Sequence, residues 1–361
     1  MLIDDRRIPS VNEPLTTYFP RWRGIKRRIT LREVLSQTSG LGDDVISLGT
    51  NTALQAAHEQ LRHKPGEMFA YSNVATNLLS GLIREAAGEP VDAFLRHRLF
   101  APLGISRVTW QRDDVGEAPC FAGAAMTADD LRKIGDLMLN GGAWNGRRII
   151  SKAWIDESTR SSQSMQPDYG LLWWLRYAHE TRRFNAQTFT QWQRAGLPAR
   201  FSSKLLPYKG KTLENAAYQS TMQRVLGPGG WTDFLRWLRK HDLPDTTIAV
   251  SGNIVQYSAE GYLGQALIIV PAKRLVIVRQ ISPQHYGTES DSFFDLWQYV
   301  ERLQRQTLMR RAPSKSFDAE PRRELLRAPV VRAGTVEGRL VPAPVLSLGG
   351  QEVLNQAANE W

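Results

Sequence analysis

Two β-branched runs, Gln265-Ala266-Leu267-Ile268-Ile269-Val270 and Leu275-Val276-Ile277-Val278-Arg279-Gln280-Ile281, flank the short stretch Pro271-Ala272-Lys273-Arg274. Apolar runs of that length around turn residues predict a hairpin of buried strands. The earlier part of the chain carries the other period. Thr30 and Glu33 are spaced as a capping box, so Ile29-Thr30-Leu31-Arg32-Glu33 predicts a helix start, with its stop at Ser39-Gly40. A longer helix follows Asn73, with Val74, Leu78, Leu82 and Ala86 on one face and Gly88-Glu89-Pro90 ending it. Further helices are expected over 91–100 and, capped by Thr127, over 128–139. After the hairpin, Phe293, Trp297 and Val300 lie on one face of an amphipathic helix at 290–303. Helices first, then a hairpin with a helix behind it, predict an α+β fold: an antiparallel sheet flanked by helices, beside a mainly helical lobe.

Composition narrows the function classes. No apolar run is long enough to span a bilayer. The opening Met1-Leu2-Ile3-Asp4-Asp5-Arg6-Arg7 puts charges where an export signal needs apolar residues. Cys120 is the single cysteine, which rules out an intrachain disulfide and predicts a packed thiol. His58 and His63 are five apart rather than four, and the other histidines are scattered, so no metal site is indicated. The net charge of +10 suggests nucleic acid until its distribution is considered. Residues 177–245 hold eleven Lys/Arg against five Asp/Glu, and 305–361 hold nine against six, leaving a nearly neutral body. A basic insertion and a basic tail on a neutral body do not make a phosphate-tracking groove, and nucleic acid is not an expected partner.

The most informative tripeptide is Tyr71-Ser72-Asn73, between the Pro65-Gly66 turn and a helix start. A phenol and an amide held at one helix end suit acyl transfer. The phenol moves a proton to or from a serine hydroxyl, and the amide orients the substrate. Read alone, the same residues also fit a packed aromatic and a plain helix cap.

The neighbouring blocks decide between these readings. The stretch from Ile29 to Leu41 (ITLREVLSQTSGL) resembles the one after the nucleophile helix in class C β-lactamases and related penicillin-binding-protein-like esterases, D-alanyl-peptidases and 6-aminohexanoate-oligomer hydrolases. The Tyr-x-Asn motif follows in order. Then come Pro102-Leu103-Gly104-Ile105, Thr127-Ala128-Asp129-Asp130-Leu131, Asn140-Gly141-Gly142 and Tyr169-Gly170-Leu171-Leu172-Trp173-Trp174. Last, Ala259-Glu260-Gly261-Tyr262-Leu263-Gly264-Gln265 resembles the strand that carries the family's Lys/His-x-Gly motif. The resemblance covers about 1–176 and 249–304. It implies a β-lactamase/transpeptidase-like fold, a small amide or ester substrate and no cofactor. It also implies Tyr71 as general base or acid, Asn73 as the orienting amide, and Gly261, Gly264 and Gln265 along the substrate-binding strand.

Two departures qualify the resemblance. Ala259 and Glu260 stand where Lys or His and Ser or Thr are usual, so the cation that helps hold a substrate carboxylate is missing there, and Glu260 reads as a solvated strand residue. More seriously, none of the ten lysines has a serine three residues before it, so no Ser-x-x-Lys is present, and no Gly-x-Ser-x-Gly replaces it. The first residues resemble the segment just downstream of the nucleophile helix. The expectation is a chain lacking the N-terminal strands and that helix, inactive as given, with a non-catalytic binding protein on the same fold as the alternative.

The expected organisation is a helical lobe with part of the catalytic body over 1–176, a basic insertion at 177–248, the sheet hairpin and packing helix at 249–304, and a disordered tail at 305–361. The insertion carries Trp231, Phe234, Leu235 and Leu238 at helical spacing and is expected to fold, either as a lid or as a surface subdomain.

Overall fold

The computed structural model describes residues 1–42, 52–241, 243–261 and 264–281. The expected helix at 290–303 and the expected tail lie outside them. Two compact units emerge. The first comprises 1–160, 170–174 and the described residues from 256 onward; the second comprises 161–169 and 175–255.

The first unit opens with short helices. The helix α1 (Leu31–Leu35) starts with the predicted capping box: Thr30 Oγ1 accepts from Glu33 N, and Glu33 Oε2 accepts from Thr30 N at 2.7 Å. It ends earlier than Ser39-Gly40. Gln37 adopts the left-handed conformation at φ 60°, while Gln37 N donates to Val34 O and Thr38 N to Glu33 O. This paired closure satisfies the last carbonyls and stops the helix. Gly40 comes later, in a loop where a Cβ would lie 2.2 Å from His63 O.

After α2 (Ala53–His58) come α3 (Asn73–Ala87), capped by Ser72 and closed by Gly88 at φ 76°, and α4 (Val91–Leu95). A π-helical turn, Arg96–Phe100, extends α4. The expected helix at 91–100 is thus present with a widened second half. Val74, Leu78 and Leu82 turn inward and pack with Leu15, Ile29, Val34 and Phe94 in an aliphatic core.

A two-stranded pair, β1 (Thr109–Trp110) and β2 (Ala124–Ala125), precedes α5 (Ala128–Leu139), capped by Thr127 as predicted. A second pair, β3 (Ala143–Trp144) and β4 (Arg147–Arg148), leads to α6 (Lys152–Ser158).

After 161–169, the second unit continues with β5 (Trp174–Arg183), whose first residue belongs to the first unit. It continues through α7 (Ala186–Arg194), α8 (Ala199–Leu205), β6 (Thr212–Glu214), α9 (Asn215–Leu226) and α10 (Pro228–Lys240). The insertion is therefore folded, and Trp231, Phe234 and Leu238 pack inward from α10. Its core is aromatic: Trp192 and Phe234 meet edge to face at 5.2 Å, and Phe184 and Phe189 lie with them in one cluster. In this unit β7 (Thr247–Glu260) runs beside β5, which pairs antiparallel with β6.

The end of β7 returns the chain to the first unit, where it pairs with β8 (Ala266–Val270), and β8 with β9 (Leu275–Arg279), all antiparallel. This is the predicted hairpin, its turn formed by Pro271–Lys273. Helix α5 packs on β8 and β9. Gly135 permits the approach, since a Cβ there would lie 2.4 Å from Val276 Cγ1. The opposite side of α5 sends Leu137 into a cluster with Phe100, Leu103 and Ile105. One helix thus ties the strands to the helical part. Among the described residues no helix is long and apolar enough to cross a membrane.

Candidate active site

Tyr71 and Asn73 lie on either side of Ser72, the residue that caps α3. Ser72 Oγ accepts from Ala75 N at 2.9 Å and donates to Gly42 O at 3.2 Å. The capping role thus belongs to Ser72, and Asn73 is the first residue of the helix. Both are buried, whereas Tyr71 is 43% exposed. An exposed phenol beside a buried amide gives the site one group that can reach solvent-borne substrate and one that is fixed.

The support beneath this turn is polar and neutral. Ser36, Gln37, Thr38 and Ser39 are all buried. Gln37 is its centre. Its backbone oxygen accepts from Ala70 N at 2.8 Å, its Oε1 accepts from Ser72 N at 2.8 Å, and its Nε2 donates to Thr76 Oγ1 at 3.0 Å. Thr76 Oγ1 in turn donates to Ser72 O at 2.9 Å. A buried amide group left without these partners would cost about 1–3 kcal/mol, so the network defines one arrangement of the turn. Sequence reasoning missed Gln37. The expected helix running to Ser39-Gly40 gave Gln37 no contact of its own, whereas residues 62–66 and 70–76 return against this run.

Aromatic contacts link Tyr71 to the strand end. Trp174 stacks on Tyr71 with ring centroids 6.2 Å apart and planes 11° from parallel, and meets Phe69 edge-on. Its neighbour Trp173 meets Tyr257 of β7 edge to face at 5.4 Å. Burial pushes the Tyr257 phenol well above its ordinary range, so this hydroxyl stays protonated. Tyr257 lies three residues before Glu260.

Beyond Glu260 the predicted strand residues divide. Gly261 is exposed, but its N–H is committed to Gln265 O at 2.8 Å. Gly264 is buried at φ 78° and shapes the turn. The Gln265 amide is spent on the backbone at the end of the next strand: Nε2 donates to Ile281 O at 2.7 Å and Oε1 accepts from Ile281 N at 3.1 Å. Gly264 and Gln265 therefore hold the hairpin in place, and Gly261 is the member of the trio that faces solvent. Glu260 is half-buried and accepts from Ser258 Oγ at 2.9 Å. Ala259 is exposed and supplies no charge. Cys120 is half-buried, its thiol pushed up to about 12 by loss of water, as expected of a packing residue.

A profile of the family Beta-lactamase matches residues 1–291. The chain belongs to the β-lactamase family. Among curated proteins it is similar to the 6-aminohexanoate-dimer hydrolase of Paenarthrobacter ureafaciens, 30% identical over 89 residues, which is 24% of this chain and 23% of that protein. It is also similar to Protein flp of Staphylococcus aureus strain NCTC 8325, 25% identical over 116 residues, 28% of this chain and 23% of that protein. The match thus spans about a quarter of the length of each curated relative. Among solved structures, a candidate β-lactamase from Bacteroides dorei DSM 17855 superposes with a TM-score of 0.54 at 16% identity, over 84% of this chain and 81% of that one. A candidate 6-aminohexanoate-dimer hydrolase from Bacillus anthracis gives 0.51 at 15% identity, over 83% and 69%. These likenesses show a β-lactamase/transpeptidase-like fold. For this family member, the α+β architecture read from the two periods is the observed one.

Proposed function

We propose that this β-lactamase-family chain carries the proton-transfer and substrate-orienting half of a serine hydrolase acting on amide or ester bonds. The observation that carries the reading is the Tyr71-Ser72-Asn73 turn, held by a buried neutral network with its phenol exposed. In the reaction a serine hydroxyl attacks the substrate carbonyl, and Tyr71 takes its proton and delivers it to the departing amine or alcohol. Water then attacks the acyl-enzyme, Tyr71 relays a proton back to the serine oxygen, and the acid leaves. Asn73 orients the substrate through its amide. The name of one relative, 6-aminohexanoate-dimer hydrolase, favours amides. At the strand end, Ala259 and Glu260 provide no cation for a substrate carboxylate, which favours acyl groups without one there.

The serine itself is not among these 361 residues in its Ser-x-x-Lys setting. In well-studied proteases the loss of the nucleophile costs on the order of 10⁶-fold in turnover. The proposal therefore expects no acyl-enzyme burst from the 361-residue chain with a nitrophenyl ester or a chromogenic cephalosporin; a burst would overturn it. The missing motif also favours a second reading, a non-catalytic ligand- or partner-binding protein on the same fold. The intact mass of the protein from its source cell separates the two. A mass above 40.8 kDa with a Ser-x-x-Lys peptide supports the hydrolase, and 40.8 kDa supports the binding protein.

A further inference from the structure

We infer that Gln37 is the positioning residue for the Tyr71 phenol, a role that rests on the reading of Tyr71 as the proton-transfer group. Gln37 closes α1 in the left-handed conformation, at φ 60°. A helix closure of this type favours glycine, because a Cβ in that conformation is crowded. If the position served only to end the helix, its side chain would be a cost without a return. A strained conformation persists where the surroundings over-determine it, and such sites cluster where geometry matters for function.

The side chain has a definite task. Residue 71 is held on both sides by the same glutamine: residue 70 through the Gln37 carbonyl, and residue 72 through the Gln37 side-chain oxygen, each at 2.8 Å. The amide nitrogen fixes the direction of that oxygen by donating to Thr76 Oγ1, one helical turn on. Gln37 is 1% exposed, so no water competes for these bonds. With the backbone on either side of Tyr71 pinned, its ring has a fixed base from which to stack on Trp174. All the pinning groups are neutral amides and hydroxyls. They act on its direction.

The test uses the full 361-residue chain labelled with 3-fluorotyrosine, the Tyr71 fluorine resonance being assigned with Tyr71→Phe. Gln37→Gly relieves the backbone strain and deletes the side chain. A pure helix-ending role predicts an equal or higher melting temperature and an unmoved Tyr71 resonance. The positioning role predicts the Tyr71 resonance displaced by more than its linewidth or broadened while the other nine tyrosines stay in place, with a lower melting temperature because the buried Ser72 N loses its acceptor. Gln37→Glu keeps the oxygen that accepts from Ser72 N and should return the resonance toward its original position. Thr76→Val leaves the backbone closure intact and frees the amide, so it should displace the same resonance less far, and it decides the matter if Gln37→Gly does not fold. An unmoved Tyr71 resonance in the folded variants, or a common shift of all ten tyrosines, would overturn the inference. This readout does not depend on turnover, so a failure of the hydrolase reading would show in the burst assay and not here.

Discussion

The turn around Tyr71 and the second unit bury polar groups in different ways. Around Tyr71, the buried polar side chains are Ser36, Gln37, Thr38, Ser39, Ser72, Asn73 and Thr76, none of which carries a charge. In the second unit, the polar groups beneath the aromatic core are ionisable. Arg182 reaches Asp245 at 3.3 Å, Tyr218 donates to Asp245 at 2.9 Å, Asn215 bridges Arg182 and Glu180, and Asp168 lies buried nearby. Neutral networks keep one geometry across a wide pH range, whereas buried carboxylates tie stability to proton concentration. The candidate site is thus built on the pH-insensitive kind of support, and the insertion on the sensitive kind.

The largest effect expected is in the aromatic core. Phe234 is fully buried among Trp192, Phe201 and Trp231, so Phe234→Ala should cost about 3–5 kcal/mol, read as a lower urea midpoint of the second unit. A loss under about 1 kcal/mol would mean that this core is not the unit's main support.

The next effect tests the charge contrast directly. Burial raises Asp168 to about 6, opposed by Arg182 and reinforced by Glu180. A carboxyl whose folded value lies above its unfolded 3.8 binds its proton more tightly when folded. Its destabilising contribution is therefore fully present above about pH 6 and vanishes as the pH falls below 3.8. Asp168→Asn keeps an acceptor for Gln166 and should stabilise the second unit at pH 7 by on the order of 2–3 kcal/mol, with the gain gone by pH 4. Thermal melts at the two pH values check this, and a gain equal at both would break the comparison.

A smaller effect is expected on the neutral side. Ser72→Ala removes the α3 cap and should cost about 1 kcal/mol, the same at pH 5 and pH 7. A pH-dependent loss would show that an ionisable group is coupled to the Tyr71 turn.

Sequence reasoning reached the elements whose cause is local. The Thr30–Glu33 box, the Thr127 cap and the 271–274 turn all follow from side chains acting within a few residues, and all are present. The Tyr71-Ser72-Asn73 turn could be located from its helix start and from the order of neighbouring blocks. What escaped depends on residues distant in sequence. Helix α1 stops at Leu35 rather than at Ser39-Gly40, closed by Gln37, whose side chain bonds residues 72 and 76 some 35 positions on. The resemblance implied a place for Gln265 on the substrate-binding strand with Gly261 and Gly264. The Gln265 amide is engaged by Ile281, across a hairpin whose exact register no local pattern specifies. The aromatic link from Tyr71 through Trp174 and Trp173 to Tyr257 has the same character.

The most direct test of the central claim is mass spectrometry for a covalent acyl adduct after incubation with a nitrophenyl ester, on the 361-residue chain and on the protein from its source cell. The proposed hydrolase chemistry predicts no adduct on the 40.8 kDa chain and, where the source protein carries a Ser-x-x-Lys peptide, one adduct on its serine. An adduct on any serine within these 361 residues would contradict it.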